Sequence, residues 1–151
     1  MSPTYKINAC NNKDYDKLIK VWENAVRNTH HFLSEADILQ YRLMIYDYYL
    51  DTLKIYSIKE DDKILGFIGL KENFIQMLFV EPSAMRKGIG KTLLCFAITK
   101  HGANTVDVNE QNTNARLFYS KMGFILKERS KSDALGKPYP VLSLVLSDTI
   151  C

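Results

Sequence analysis

Apolar residues recur along this chain with two periods. From Tyr15 to Val26 they fall at Tyr15, Leu18, Ile19, Trp22, Ala25 and Val26, the spacing of one helix face. Asn11 or Asn12 stands just before it as a cap. Burial on that face accounts for Trp22. A second helix is expected over residues 34–51, with Ser34 as cap, Glu35 and Asp37 in its first turn, and Ile38, Tyr41, Ile45 and Tyr48 or Tyr49 along one side. Its tyrosines, Tyr41, Tyr46, Tyr48 and Tyr49, either fill the core or partly line a pocket. The period then falls to two. Residues 54–59, 64–70 and 74–80 read as strands, separated by the turns Glu60-Asp61-Asp62-Lys63 and Lys71-Glu72-Asn73. They form an antiparallel meander, preceded by a weak first strand over residues 5–9. Gly66 and Gly69 mark a bulge or a close backbone approach, and Pro82 ends the third strand.

After that strand comes Met85-Arg86-Lys87-Gly88-Ile89-Gly90-Lys91-Thr92, then a helix with Ile89, Leu93 and Ala97 on one side that stops near His101-Gly102. Residues 105–109 alternate as a strand. A strand-helix-strand unit makes it parallel to 74–80 with a right-handed crossover. Thr113 or Asn114 caps a short helix with Ala115, Phe118 and Met122 inward, and Gly123 ends it. Residues 124–128 and 141–146 are the remaining strands, joined by a polar loop containing Gly136 and Pro138. The fold class is α/β.

Composition narrows the functions. A chain of 151 residues, 46% apolar and 25% charged, is one ordinary domain with a real core. A net charge of +3 is too weak for a nucleic-acid surface. The longest apolar run, 64–70, is far short of a membrane span, and the first fifteen residues hold no secretory apolar segment. Cys10, Cys95 and Cys151 are far apart and odd in number, supporting neither a disulfide framework nor a zinc site, so reduced thiols and a cytoplasmic location are expected. No metal is expected; the adjacent His30 and His31 point in different directions.

The candidate chemistry lies in the strand-turn-helix at residues 74–98. Such a turn gathers the unpaired N–H groups of a helix N-terminus, where the dipole adds positive charge, and a phosphate fits there. Gly88 and Gly90 admit the ligand, and Arg86, Lys87 and Lys91 add charge. The dinucleotide fingerprint fails because Leu93 stands where its third glycine belongs, and the Walker A loop fails because one residue separates Gly88 from Gly90. A nucleotide module is thereby disfavoured, leaving a phosphate loop of another kind or a ligand-free turn.

Two segments in order decide between these. Met85-Arg86-Lys87-Gly88-Ile89-Gly90 and the set Asn112, Ala115, Phe118-Tyr119, Gly123-Phe124 resemble the pyrophosphate loop (Gln/Arg-x-x-Gly-x-Gly/Ala) and the second motif of the GNAT superfamily of N-acetyltransferases. Thr29-His30-x-Phe32-Leu33, residues 108–112 and Leu135-Gly136-Lys137-Pro138-Tyr139-Pro140 further resemble its bacterial YjaB-type branch. Met85 departs from the Gln/Arg of the loop pattern, and Arg86, one position on, is placed to supply the charge.

The resemblance implies a single domain over residues 1–151, built on a mixed, mostly antiparallel sheet with two splayed parallel strands and helices on both faces. It implies transfer of an acetyl group from acetyl-CoA to a primary amine by direct attack in a ternary complex. The acceptor is a small molecule or a peptide or protein amine, and the enzyme a monomer or homodimer. The alternative is a CoA-binding sensor without turnover. The resemblance places the cofactor on Leu78, Phe79 and Val80, on Arg86, Lys87, Gly88, Ile89, Gly90, Lys91 and Thr92, and on Asn112, Ala115, Phe118 and Tyr119. An N–H near Leu78 to Val80 becomes the donor to the developing oxyanion. Tyr119 becomes the general acid toward the leaving thiolate. The general base is sought among His30, Glu110, Tyr139 and water held near Gln76, with His30 preferred for its ordinary pKa near ~6.5.

Overall fold

The alternating stretches pair as expected in a computed structural model, which describes residues 5–151: β2 (Lys54–Glu60), β3 (Lys63–Lys71) and β4 (Phe74–Val80) form an antiparallel meander, and β1 (Ile7–Ala9) adds to the β2 edge. β5 (Thr105–Asn109) lies parallel to β4, and β6 (Phe124–Ser130) and β7 (Val141–Leu146) complete a seven-stranded sheet in the order β1-β2-β3-β4-β5-β7-β6. β7 lies between β5 and β6, paired antiparallel to both. No helix among the described residues is long and apolar enough to cross a membrane.

Helices cover both faces. α1 (Tyr15–Thr29) and α2 (Glu35–Met44) close one core, in which Leu18, Trp22 and Ile38 meet Phe67 and Met77 of the sheet. α3 (Ile89–His101) and α4 (Thr113–Lys121) close the other, in which Leu93, Ala97 and Met122 meet Ile68 and Ile75. β3 is buried on both sides, hence its unbroken apolar run. Gly66 is required by close approach: a Cβ there would lie 2.8 Å from Ile89 Cγ2, so its absence lets the first turn of α3 rest on the sheet.

Three local expectations change. The second helix is α-helical only to Met44; Ile45–Tyr49 widens into a π-turn and Leu50–Thr52 tightens into a 3₁₀ turn. Such a bulge turns the tyrosine run relative to the helix before it, which periodicity cannot foresee. α4 is capped by Asn112, whose side chain accepts from the Ala115 N–H at 3.2 Å, in place of Thr113 or Asn114. Its buried aromatic is Tyr119, while Phe118 is half-buried.

The reading of three reduced thiols is overturned: Cys95 of α3 and Cys151 are disulfide-bonded, and Cys10 alone is free. The chain past β7 turns at Gly123, where the carbonyl accepts from the Ser147 N–H at 2.8 Å, bringing the last residue to α3. The two cysteines are 56 positions apart in sequence, so tertiary packing alone could pair them.

Candidate functional site

The site is made by a failure of strand pairing. β4 and β5 share only two pairs, Phe74↔Thr105 and Ile75↔Val106. At that point the β3–β4 register slips so that Gln76 is an extra residue on β4. A bulge bends its strand and sharpens its twist, and beyond it β4 parts from β5. The Glu81 N–H donates to the Leu65 carbonyl at 2.7 Å, toward β3. By alternation along the strand, the backbone groups of Phe79 also face β3, and those of Leu78 and Val80 face the gap.

A cavity of about 310 Å³ opens at that gap, between the start of α3, α4 and the end of α1. Of the expected cofactor residues, it is lined by Leu78, Phe79 and Val80, by Arg86, Gly88, Ile89, Gly90 and Lys91, and by Asn112, Ala115, Phe118 and Tyr119. Met85 lines it as well. Lys87 and Thr92 do not. The Lys87 carbonyl accepts from the Tyr5 hydroxyl at 2.9 Å, and the Thr92 hydroxyl turns back to donate to the Gly88 carbonyl at 2.7 Å. Gly88 has φ +77° with nothing within 4 Å of where a Cβ would lie, a left-handed turn with open space before it. Thr92 N–H, bonded to the Gly88 carbonyl at 3.0 Å, is the first helical donor of α3, so the N–H groups ahead of it remain for a ligand. Arg86 has φ +64°, a strained conformation for a residue with a Cβ, inside the same loop.

Tyr119 is 5% exposed, its ring between Phe118 and Phe124 at centroid distances of 5.1 and 5.3 Å. Burial pushes its phenol above the ordinary value, and no hydrogen bond from the described residues reaches the hydroxyl. It is therefore a neutral O–H with a free donor at the cavity wall.

A second cavity, of about 290 Å³, lies against α1 and α2. His30 and Phe79 line both cavities, so they form the partition. The second is also lined by Gln76 and Asn109, at the mouth of the gap, and by Tyr41, Tyr49 and Asp133. Tyr41 and Tyr49 thus do line a pocket; Tyr46 instead donates to Asp16. The 131–140 loop covers this cavity. Tyr41 donates to Asp133, Tyr139 donates to Asp37, and Lys137 pairs with Asp37 at 2.9 Å. The Tyr139 hydrogen bond, with Lys137, holds the Asp37 carboxyl down at about 2. Asp133 went unnoticed as a site residue; the sequence signal nearest to it was the Leu135-to-Pro140 segment.

The structure sorts the candidate bases. Glu110 is clamped by Arg129 through two contacts of 2.7 and 3.0 Å, which hold its carboxyl below the usual range, and it lines neither cavity. Tyr139 is spent on Asp37, which raises its phenol, and also lines neither. His30, 8% exposed, sits on the partition, and burial, then the adjacent His31, lowers its pKa to about 4. It is neutral at pH 7. His31 is exposed. No cluster of three or more metal-ligating side chains exists among the described residues.

The acetyltransferase (GNAT) domain family matches residues 18–134. The chain belongs to the GNAT acetyltransferase family. It is 39% identical over 130 residues to the peptidyl-lysine N-acetyltransferase YjaB of Salmonella typhimurium, covering 86% of this chain and 90% of that protein. The apo-form solution structure of YjaB from Escherichia coli superposes with a TM-score of 0.88 at 30% identity, over 97% of this chain and all of that one. A PaiA N-acetyltransferase from Thermoplasma acidophilum, in complex with coenzyme A, shares the fold at a TM-score of 0.73 and 23% identity, over 93% of this chain and 98% of that one. This protein is an N-acetyltransferase, of a family whose co-substrate is acetyl-CoA.

Proposed function

We propose that this GNAT enzyme acetylates a lysine side chain presented on a peptide, by direct attack in a ternary complex. The observation that carries the reading is the pair of cavities meeting at His30 and Phe79 beside the strand gap. The YjaB relative is named a peptidyl-lysine N-acetyltransferase, which supports that acceptor. The first cavity fits the co-substrate because its loop offers open space at Gly88 and unpaired N–H groups at α3. Arg86 and Lys91 supply charge to the phosphates; Lys87, which does not line the cavity, acts through the field. The backbone of Leu78 and Val80 faces the gap, where its N–H groups stabilise negative charge on the acyl oxygen.

Acetyl-CoA supplies an acyl group already attached to a sulfur leaving group. The acceptor ammonium enters from the second cavity and gives one proton to His30 Nε2. The neutral amine forms the new N–C bond as the C–S bond breaks, and Tyr119 donates its hydroxyl proton to the departing sulfur. The second amine proton returns to Tyr119 through water. A base held near pKa 4 deprotonates an ammonium only if that ammonium is itself destabilised, and burial against Phe79 does this.

Two measurements test the reading. Acetyl-CoA at one hundred times its Kd raises the unfolding free energy by ~2.7 kcal/mol, and Gly90→Val abolishes that shift. Gly90 is the better position, because its Cβ would meet Phe118 and Val80 at an ordinary 3.7 Å, whereas the positive φ of Gly88 strains the unliganded fold on substitution. No thermal shift and no calorimetric binding in the wild type sinks the assignment of the first cavity. Separately, His30→Ala lowers kcat/KM for a lysine peptide by ~10²-fold with acetyl-CoA affinity held. A change confined to acetyl-CoA affinity places His30 on the wrong side.

A further inference from the structure

His30 carries a hydrogen-bond chain whose directions can be fixed by counting protons. Thr29 Oγ1 lies 2.8 Å from the Ala25 carbonyl oxygen and 2.7 Å from His30 Nδ1. A threonine hydroxyl has one proton and two lone pairs, and a carbonyl oxygen only accepts. The contact to Ala25 therefore consumes the hydroxyl proton. The remaining contact is satisfied only if His30 Nδ1 carries a hydrogen and donates it to Thr29 Oγ1. The reverse arrangement would leave two oxygen acceptors facing each other at 2.8 Å.

We propose that Thr29 is a positioning residue that holds His30 as the Nδ1–H tautomer, leaving the Nε2 lone pair at the partition between the two cavities. The proton bookkeeping is independent of what His30 does. Its use in turnover rests on the reading of His30 as the acceptor-side base.

The surroundings agree with a ring held in one orientation. Phe32 lies against the imidazole at a centroid distance of 5.3 Å, and Tyr139 backs Phe32 at 5.6 Å. Tyr139 is tied to Asp37, so the stack is anchored to α2. With the ring plane set by packing, the remaining choice is which nitrogen carries the proton, and the partner of Nδ1 decides it. Thr29 itself lines the first cavity, at the last turn of α1. A helix-terminal hydroxyl that bonds back to the carbonyl four residues earlier is common. Here the same oxygen is also the acceptor for a buried imidazole.

The test is long-range ¹⁵N–¹H correlation of the histidine rings in the full-length unliganded protein at pH 7, with His30→Gln to assign the His30 signals. The wild type shows His30 protonated at Nδ1 and unprotonated at Nε2. Thr29→Ser keeps that pattern, and Thr29→Val, of the same shape but without the hydroxyl, moves population to the Nε2–H form. With a lysine peptide and acetyl-CoA, Thr29→Val lowers kcat about tenfold, part of the 10²–10⁴ that a general base is worth, and Thr29→Ser restores it. An Nε2–H signal in the wild type overturns the proposal, whether or not the variants fold. An unchanged tautomer in Thr29→Val overturns it as well. If the tautomer responds to Thr29 but His30→Ala leaves acceptor kinetics intact, the positioning stands and the base assignment falls.

Discussion

Tyr119→Phe lowers kcat by ~10²-fold or more, the scale of general acid catalysis and equivalent to ~2.7 kcal/mol in the barrier. Melting temperature and acetyl-CoA affinity hold. The structure gives this separation a physical basis. The ring packs against Phe118 and Phe124 and keeps those contacts as phenylalanine. The hydroxyl has no partner to lose, since burial alone accounts for its raised pKa. A tyrosine kept for stability has its hydroxyl bonded when buried, because an unpaired polar group costs ~1–3 kcal/mol. Here the hydroxyl has no partner among the described residues and opens onto the cavity. Burial makes the phenol a weaker acid, but the same dry wall also raises the basicity of a thiolate beside it, so the two shifts offset. The high-pH limb of wild-type kcat that belongs to Tyr119 lies above the ordinary phenol value of ~10. It disappears in Tyr119→Phe. Melting temperature, Kd and kcat measured on one preparation decide the matter: an unchanged kcat removes Tyr119 from the chemistry.

The second large effect is on stability. Reducing the Cys95–Cys151 bond frees a loop of 56 residues. On the chain-entropy account this lowers the unfolding free energy by up to about 4 kcal/mol, the upper end for a bond that fits its fold. The loop encloses β5, α4, β6 and β7, and therefore Asn112 and Tyr119, while Cys95 lies on the helix that begins at the phosphate loop. Denaturant unfolding with and without reductant measures it. The oxidised wild type unfolds at higher denaturant than the reduced, and Cys151→Ser shows one midpoint under both conditions. Coincident midpoints for oxidised and reduced wild type would show that the pairing contributes nothing.

Much of this fold could be read from local pattern because local physics fixes it. The stripe of α1, the meander, the β5 and β7 boundaries and the glycine that ends α3 each depend on neighbours in sequence. The glycine-bearing turn before α3 was readable for the same reason: glycine spacing marks where backbone N–H groups at a helix start become free, which is what the proposed phosphate site uses. Asn112 and Tyr119 were legible through a resemblance, since nothing local says that a phenol faces a cavity.

What the chain could not disclose alone involves segments far apart in sequence. The insertion of β7 between β5 and β6 is a choice of pairing partner, and several partners satisfy the same alternation. The disulfide depends on where the tail runs after that choice. The latch of Asp37 and Asp133 on Tyr139 and Tyr41 joins residues about a hundred positions apart. His30 shows the division most clearly. Its residue type and its place between two helices made it the preferred candidate base, with Glu110 and Tyr139 beside it as alternatives. Only packing removed them, by clamping one on Arg129 and the other on Asp37. Only packing made His30 a neutral, buried imidazole shared by two cavities. The sequence by itself determined most of the elements and the glycine-bearing turn at residues 85–92, because these follow from backbone geometry and spacing, and its resemblance to a family supplied the class of reaction. Tertiary structure decided which candidate side chains line the two cavities, because burial and hydrogen-bond competition exist only once distant segments meet.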